Sequence, residues 1–190
     1  MSISQNSRKR VALDVDDTIA DVSKGILERI NRMLGTSYTM SDLHASVGTD
    51  RSPGKESTIL YHDLWVNNYR SIRSLVDNDL LAEVATHYDV ELVSKRAGPD
   101  GESRTSGALG EWLKLHGLDS YPTVIVRVGT DKSDLNYDIY VDDGPVGVKD
   151  NMTLYRICEP EEDATNGPNV VRCSDVNDAL RMLLDAAAKD

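Results

Sequence analysis

Short apolar runs alternate with stretches of helical periodicity along most of this chain. The first run, Val11-Ala12-Leu13, predicts a strand over residues 9–13. Val22, Ile26, Ile30 and Met33 then recur at near-helical spacing up to Gly35, a predicted C-cap. Thr39 is placed to cap a short helix through Val47, Thr49 to Gly54 reads as a loop, and Ile59, Leu60, Leu64, Val66, Tyr69 and Ile72 predict a helix over Lys55–Ser74. Leu80, Leu81, Val84 and Ala85 predict another over Asn78–His87. A second strand, Val90–Val93, ends at Ser94, and Gly98-Pro99-Asp100-Gly101 reads as a loop. Leu109, Trp112 and Leu113 share one face of a helix over Thr105–His116 that stops at Gly117. The β-branched runs Thr123–Val128 and Asp138–Val141 predict strands three and four, with shorter strands at Leu154–Ile157 and Val170–Cys173. Ser174 or Asp175 caps a last helix carrying Val176, Leu180, Leu183 and Leu184.

Strands that alternate with helices predict an α/β fold, a Rossmann-like parallel sheet covered on both faces by helices. One connection is too long. Between Asp14 and Ser94 lie 79 residues, whereas a crossover needs a dozen or so, about 30 with generous loops. The surplus is helical, so it reads as a small helical cap inserted after the first strand; an extra layer of core helices is the alternative. The expected division is residues 1–20 with 76–190 as core and 21–75 as cap, and residues 1–9 read as disordered. No internal repeat is visible.

Composition narrows the function classes. A net charge of −11 argues against an electrostatic nucleic-acid binder. No apolar run approaches the roughly 20 residues of a membrane-spanning helix, and Met1 to Arg10 lacks the apolar core of a secretory signal. Cys158 and Cys173 lack paired metal or disulfide spacing, so buried thiols in a reducing cytoplasm are expected. The acids are mostly Asp (23 against 9 Glu), Arg outnumbers Lys (13 to 8) and Phe is absent. A balance this acidic keeps a protein soluble in salt, and a salt-adapted source is the expectation.

The candidate chemistry lies where the strands end. Strand one empties into Asp14 and Asp16, strand two into Ser94 and strand four into Asp142-Asp143, with Lys132 in the loop just before strand four. Side chains two apart on an extended segment point the same way, so Asp14 and Asp16 are expected to share one volume. In a parallel sheet these ends lie on one edge, which is where open α/β sheets bind ligands. Four carboxylates, a hydroxyl and an ammonium then meet. Such hard oxygen ligands suit Mg²⁺, which keeps several waters and binds substrate phosphate.

These ordered motifs, Asp14-Val15-Asp16-Asp17-Thr18, then Ser94, Lys132, and Tyr140-Val141-Asp142-Asp143-Gly144-Pro145, resemble the four motifs of the haloacid dehalogenase (HAD) superfamily over positions 11 to 145. Asp131-Lys132 shortly before the acid pair, and Gly35-Thr36-Ser37-Tyr38 after the first cap helix, are most similar to the 5′(3′)-deoxyribonucleotidase family. The resemblance implies a cytoplasmic Mg²⁺-dependent phosphatase acting on a small phosphorylated metabolite, a (deoxy)nucleoside monophosphate, through an aspartyl-phosphate. It implies Asp14 as nucleophile and Asp16 as the acid that protonates the leaving alkoxide and then activates water. The metal would be held by the Asp14 carboxylate, the Asp16 carbonyl and Asp142, with Asp143 beside it, directly or through water. Lys132 would hold Asp14 and the phosphoryl group, and Ser94 would donate to a phosphoryl oxygen.

Several residues keep two readings. Lys149 rivals Lys132, and Asp17 stands where many relatives have glycine. Lys95, Arg96 and Arg104 either touch substrate phosphate or form an exposed basic loop; Tyr61, Trp65 and Tyr69 either stack a base or belong to the core. His44, His62, His87 and His116 show no ligand spacing. Sugar or other metabolite phosphates are the alternative substrates. A receiver-type signalling module lacks so long a connection after its first strand. A catalytically silent binding protein of the superfamily would need a missing motif, and none is missing. Oligomeric state stays open, with a homodimer as one option and no membrane or nucleic-acid polymer as partner.

Overall fold

Val11 and Leu13 of β1 (Arg10–Asp14) enter one apolar cluster, while Ala12 between them enters a second on the opposite face of the sheet. The same period-two division recurs in β2 (Asp89–Ala97), where Val90 and Leu92 oppose Val93, and in β4 (Ile139–Asp142), where Ile139 and Val141 oppose Tyr140. These strands are thus buried on both faces. A computed structural model describes residues 8–39, 63–97, 104–127, 130–144, 146–158 and 167–189. With β3 (Thr123–Arg127), β5 (Thr153–Ile157) and β6 (Val170–Cys173) the strands form one parallel sheet in the order β3-β2-β1-β4-β5-β6. From β1 the chain builds outward through β2 and β3, then returns to place β4 on the other side of β1. The boundary between β1 and β4 is therefore the switch point at which such sheets open a crevice at their carboxyl edge.

On the larger cluster pack α1 (Val22–Leu34), α2 (Asn78–His87), α3 (Arg104–Leu115) and α4 (Val176–Ala187). Local chemistry sets their ends. The Asp77 side chain accepts from the amides of Asp79 and Leu80 at the start of α2, Asp175 accepts from the Asp178 amide at the start of α4, and Gly35 closes α1 at φ 64°. Asp175 is thus the cap of the last helix. Among the described residues the smaller cluster is covered by Leu135, Tyr137, Val146 and Met152, from the segments around β4, and not by an α-helix.

Two expected elements differ by several residues. The second strand does not end at Ser94 but runs on through Lys95 and Arg96 to Ala97, paired with β3. The helix expected up to Ser74 is α-helical over 63–68, then tightens into a 3₁₀ turn at Tyr69–Ser71, with Ile72 extended. Asn67 and Asn68 turn their side-chain amides back onto Asp63, offering local bonds that compete with helix continuation.

The ends of the 21–75 interval lie side by side: Ala20 bridges Ser74, Asp21 N–H donates to Arg73 C=O at 3.0 Å, and Leu75 N–H donates to Ile19 C=O at 2.8 Å. Trp65, Leu64 and Ile72 from that interval are buried in the main cluster. The helix expected over Thr39–Val47, the loops at 49–54 and 98–101, Tyr61, His44, His62 and Pro145 fall outside the described residues, apart from Thr39 itself. No helix among the described residues is long and apolar enough to cross a membrane.

Candidate active site

Asp14 ends β1 and Asp142 ends β4, on either side of the switch point. Between them stands Lys132, whose Nζ lies 2.5 Å from Asp14 Oδ1 and 2.6 Å from Asp142 Oδ2. All three side chains are at least nine-tenths buried. The lysine comes from a 3₁₀ turn, Lys132–Leu135, which the Asp131 carboxylate caps by accepting from Ser133 N–H. The other oxygen of Asp142 accepts from Gly144 N–H at 2.7 Å. A Cβ on Gly144 would stand 3.0 Å from that oxygen, so glycine lets the backbone close over the carboxylate. Asp143 is held by Thr18, which donates to its Oδ1 at 3.4 Å and accepts from its N–H at 3.2 Å.

Too much negative charge is gathered here for one ammonium to offset. Burial, and then the neighbouring Asp142 charge, push Asp14 well above the ordinary carboxylate range, against the pull of Lys132. Asp143 is pushed up to about 6 by burial and by the charges of Asp142 and Asp17. Burial works to lower Lys132, but the charges of Asp14 and Asp142 outweigh it and leave the ammonium raised. Oxygens of Asp14, Asp142 and Asp143 all lie within 4.8 Å of one another. A compact, undercompensated set of hard oxygens fits a small divalent cation.

Asp16 belongs to a second group, one step along the same edge. Its Oδ1 accepts from Arg96 Nη2 at 2.6 Å and from the Trp65 indole N–H at 3.1 Å, and its Oδ2 meets the Ser94 hydroxyl at 3.3 Å. Arg96 Nε donates to Ser94 Oγ at 2.8 Å, and the guanidinium lies 3.7 Å from the centre of the Trp65 ring. Ser94 and Arg96 sit two apart on β2 and so face the same way, which explains why one carboxylate meets both. Lys95 lies between them on the opposite face, where its charge acts on Asp131.

The expected site residues therefore fall into three places. Asp14, Lys132, Asp142 and Asp143 are brought together; Asp16, Ser94 and Arg96 form the adjoining group; Lys95 joins neither. Lys149, the rival lysine, donates to the Ser133 carbonyl at 2.8 Å and braces the turn that carries Lys132. Arg104 opens α3, and its side chain lies outside the described residues. Arg96 is no exposed loop residue: its side chain is 0% exposed. Trp65 is equally buried, set edge-on against Trp112 at 5.9 Å, so it offers no open face to a base, while Tyr69 packs half-buried against the core.

Asp17 adopts φ 59°, the left-handed conformation that favours glycine. Its carboxylate accepts from the amide of Ser23 at 2.7 Å and from the Ser23 hydroxyl, so it ties the loop after β1 to α1. Two side-chain partnerships carry no sequence signal, because their members lie far apart along the chain. The Trp65 contact with Asp16 spans 49 positions. Thr18 was visible as the close of the first motif, but its partnership with Asp143 spans 125.

No protein-family model matches this sequence, and no curated protein matches it. Solved structures do match its fold. A predicted phosphatase from Clostridium acetobutylicum is 16% identical over 95% of this chain and 100% of its own, with a TM-score of 0.57. The protein tyrosine kinase A of Mycobacterium tuberculosis is 15% identical over 94% and 99%, with a TM-score of 0.54. A haloacid dehalogenase-like family hydrolase from Xanthomonas campestris is 12% identical over 100% and 97%, at 0.50. At these identities the likeness establishes the fold: a Rossmann-like α/β sheet of the haloacid dehalogenase type.

Proposed function

We propose that this chain is a Mg²⁺-dependent phosphomonoesterase that hydrolyses a small phosphate ester through an aspartyl-phosphate on Asp14. The observation that carries the reading is the Lys132 ammonium held between Asp14 and Asp142 at the β1/β4 crevice. A cation so placed neutralises charge as an anionic phosphoryl group approaches an anionic nucleophile. The phosphatase and the haloacid dehalogenase-like hydrolase that share the fold support it.

The chemistry runs in two displacements. A carboxylate oxygen of Asp14 attacks phosphorus, the bond to the ester oxygen breaks, and Asp16 gives that oxygen its proton. Water then attacks the phosphorus of the aspartyl-phosphate, Asp16 takes up the water's proton, and the Asp14–phosphorus bond breaks to free inorganic phosphate. Lys132 and Ser94 donate to phosphoryl oxygens as charge spreads over them. Asp14, Asp142, the Asp16 carbonyl and Asp143 would hold Mg²⁺, which when bound offsets negative charge on the phosphoryl group.

Within this reading the substrate is a (deoxy)nucleoside monophosphate. Because Trp65 is buried against Trp112 and Arg96, recognition of a base falls to other residues. The test is a phosphate-release panel over ribo- and deoxyribonucleoside 5′- and 3′-monophosphates and sugar phosphates, each with Mg²⁺ or with EDTA. Mg²⁺-dependent release, fastest on nucleoside monophosphates, is the expected result. Equal rates under chelation would remove the metal from the mechanism, fastest release from sugar phosphates would replace the substrate class, and no release from any ester would end the enzymatic reading.

A further inference from the structure

We infer that Arg96 and Trp65 form a positioning clamp for Asp16, so that Arg96 serves the reaction through that carboxylate and not by binding substrate phosphate. This rests on the proton-transfer role proposed above for Asp16. Three observations support it. The guanidinium side chain is 0% exposed, although the Asp16 side chain it meets is 23% exposed. Its polar edge is directed inward, Nη2 to Asp16 Oδ1 at 2.6 Å and Nε to Ser94 Oγ at 2.8 Å, while its flat face is packed on the Trp65 ring. Trp65 in turn donates to the same oxygen of Asp16, at 3.1 Å.

The two oxygens of Asp16 are therefore unlike. Oδ1 takes two donors from buried, rigidly packed groups. Oδ2 takes the longer bond, 3.3 Å, from the Ser94 hydroxyl, the group proposed above to donate to a phosphoryl oxygen. A carboxylate held through one oxygen presents the other in a fixed direction. Such fixing matters because a displacement of about 1 Å in a reacting group can cost 10²-fold in rate. A planar, forked cation suits this task better than a flexible ammonium. Trp65 lies in the 21–75 interval and Arg96 on β2, so the clamp also joins that interval to the sheet at the proton-transfer residue.

The clamp has a kinetic signature that neither plain structural support nor phosphate binding shares. kcat/KM reports the steps up to transfer of phosphorus to Asp14. An alkoxide leaves only with a proton from Asp16, whereas p-nitrophenolate leaves without one. For Arg96→Lys and for Trp65→Phe, which keeps an aromatic ring beside Trp112, kcat/KM on an alkyl phosphate is expected to fall about tenfold or more. On p-nitrophenyl phosphate the fall is expected to be smaller by at least about fivefold. Equal falls on both esters would overturn the clamp and return Arg96 to phosphate binding or to the scaffold.

A second readout needs no turnover. The ¹H–¹⁵N indole resonance of Trp65, identified by its absence in Trp65→Phe, is expected to move in Asp16→Asn and in Arg96→Lys. An unmoved resonance in both would refute the shared contact. A wild-type protein that hydrolyses neither ester would instead remove the phosphomonoesterase reading, and the catalytic part of this inference with it, whatever the resonance shows.

Discussion

The Tyr140 hydroxyl donates to the backbone carbonyl of Lys132 at 2.8 Å and accepts from the Tyr137 N–H at 3.2 Å. Tyr140 lies on β4 two residues before Asp142, on the face away from Val141, so one strand supports both ends of the Lys132–Asp142 pair. The lysine is thus held by its backbone as well as by its charge.

Tyr140→Phe tests that support. It leaves a buried carbonyl and a buried N–H without their partner, a cost of about 1–3 kcal/mol. Denaturant unfolding is expected to show a loss in that range, with kcat lowered several-fold because Lys132 is held less firmly. Unchanged kcat alongside the loss of stability would make the hydroxyl purely structural.

Asp14→Asn separates activity from folding. Burial and the Asp142 charge already oppose the ionised form of Asp14, so removing its charge relieves repulsion while keeping the shape. Turnover of any phosphate ester is expected to fall by at least about 10³-fold. The melting temperature in metal-free buffer is expected to stay level or rise, the usual opposition of function and stability at a charged site. A drop of several degrees with activity retained would contradict both the nucleophile assignment and the electrostatics.

Much of this arrangement was legible in the sequence, and the parts that were not share one physical character. Strand ends could be read because apolar runs stop abruptly at Asp14 and at Asp142. Asn78–His87 and Val170–Cys173 have the predicted bounds because caps and apolar periodicity there are local. Lys95 and Arg96, by contrast, read as lying past the end of the strand, either on substrate phosphate or in an exposed basic loop, because charged residues seldom sit inside a buried strand. Arg96 does so by virtue of partners 80 and 31 positions away, Asp16 and Trp65, which no local pattern reveals. Tyr140 could have been found: the alternation that sends Ile139 and Val141 to one cluster sends it to the other, where a buried phenol needs a partner.

The metal-free protein is expected to lose stability as the pH rises from about 4 to 7, in part through Asp143. Its folded-state value, about 6, lies above the ordinary 3.8, so the folded state binds more protons than the unfolded state between those limits. Stability therefore falls with rising pH in that window, by at most about 3 kcal/mol from this group. Asp143→Asn should be progressively more stable relative to wild type from pH 4 to 7 in chelated buffer. Mg²⁺ at pH 7 should raise the wild-type melting temperature, since saturation at 100 times Kd is worth about 2.7 kcal/mol. Parallel melting curves for the two proteins across pH would count against a strained carboxylate cluster.

The start of α1 offers a contrast between two aspartates. Asp21 occupies the N-cap position but makes no capping bond; its carboxylate pairs instead with Arg73 at the far end of the 21–75 interval. Asp17 performs the capping from outside the helix, accepting from both the amide and the hydroxyl of Ser23 while adopting φ 59°. Asp17→Ala removes that cap and leaves a Cβ in the left-handed region without a polar side chain to compensate, two costs of about 1 kcal/mol each. Asp17→Gly removes the same cap but relieves the backbone, so it is expected to fall between alanine and wild type. Asp21→Ala loses an ion pair whose arginine is largely exposed, so solvent screens its contribution to little. Urea unfolding of the three variants should rank Asp17→Ala as the least stable. If Asp21→Ala proves the more damaging, the entry to α1 is held by the Arg73 contact and not by the loop that carries Asp14 and Asp16.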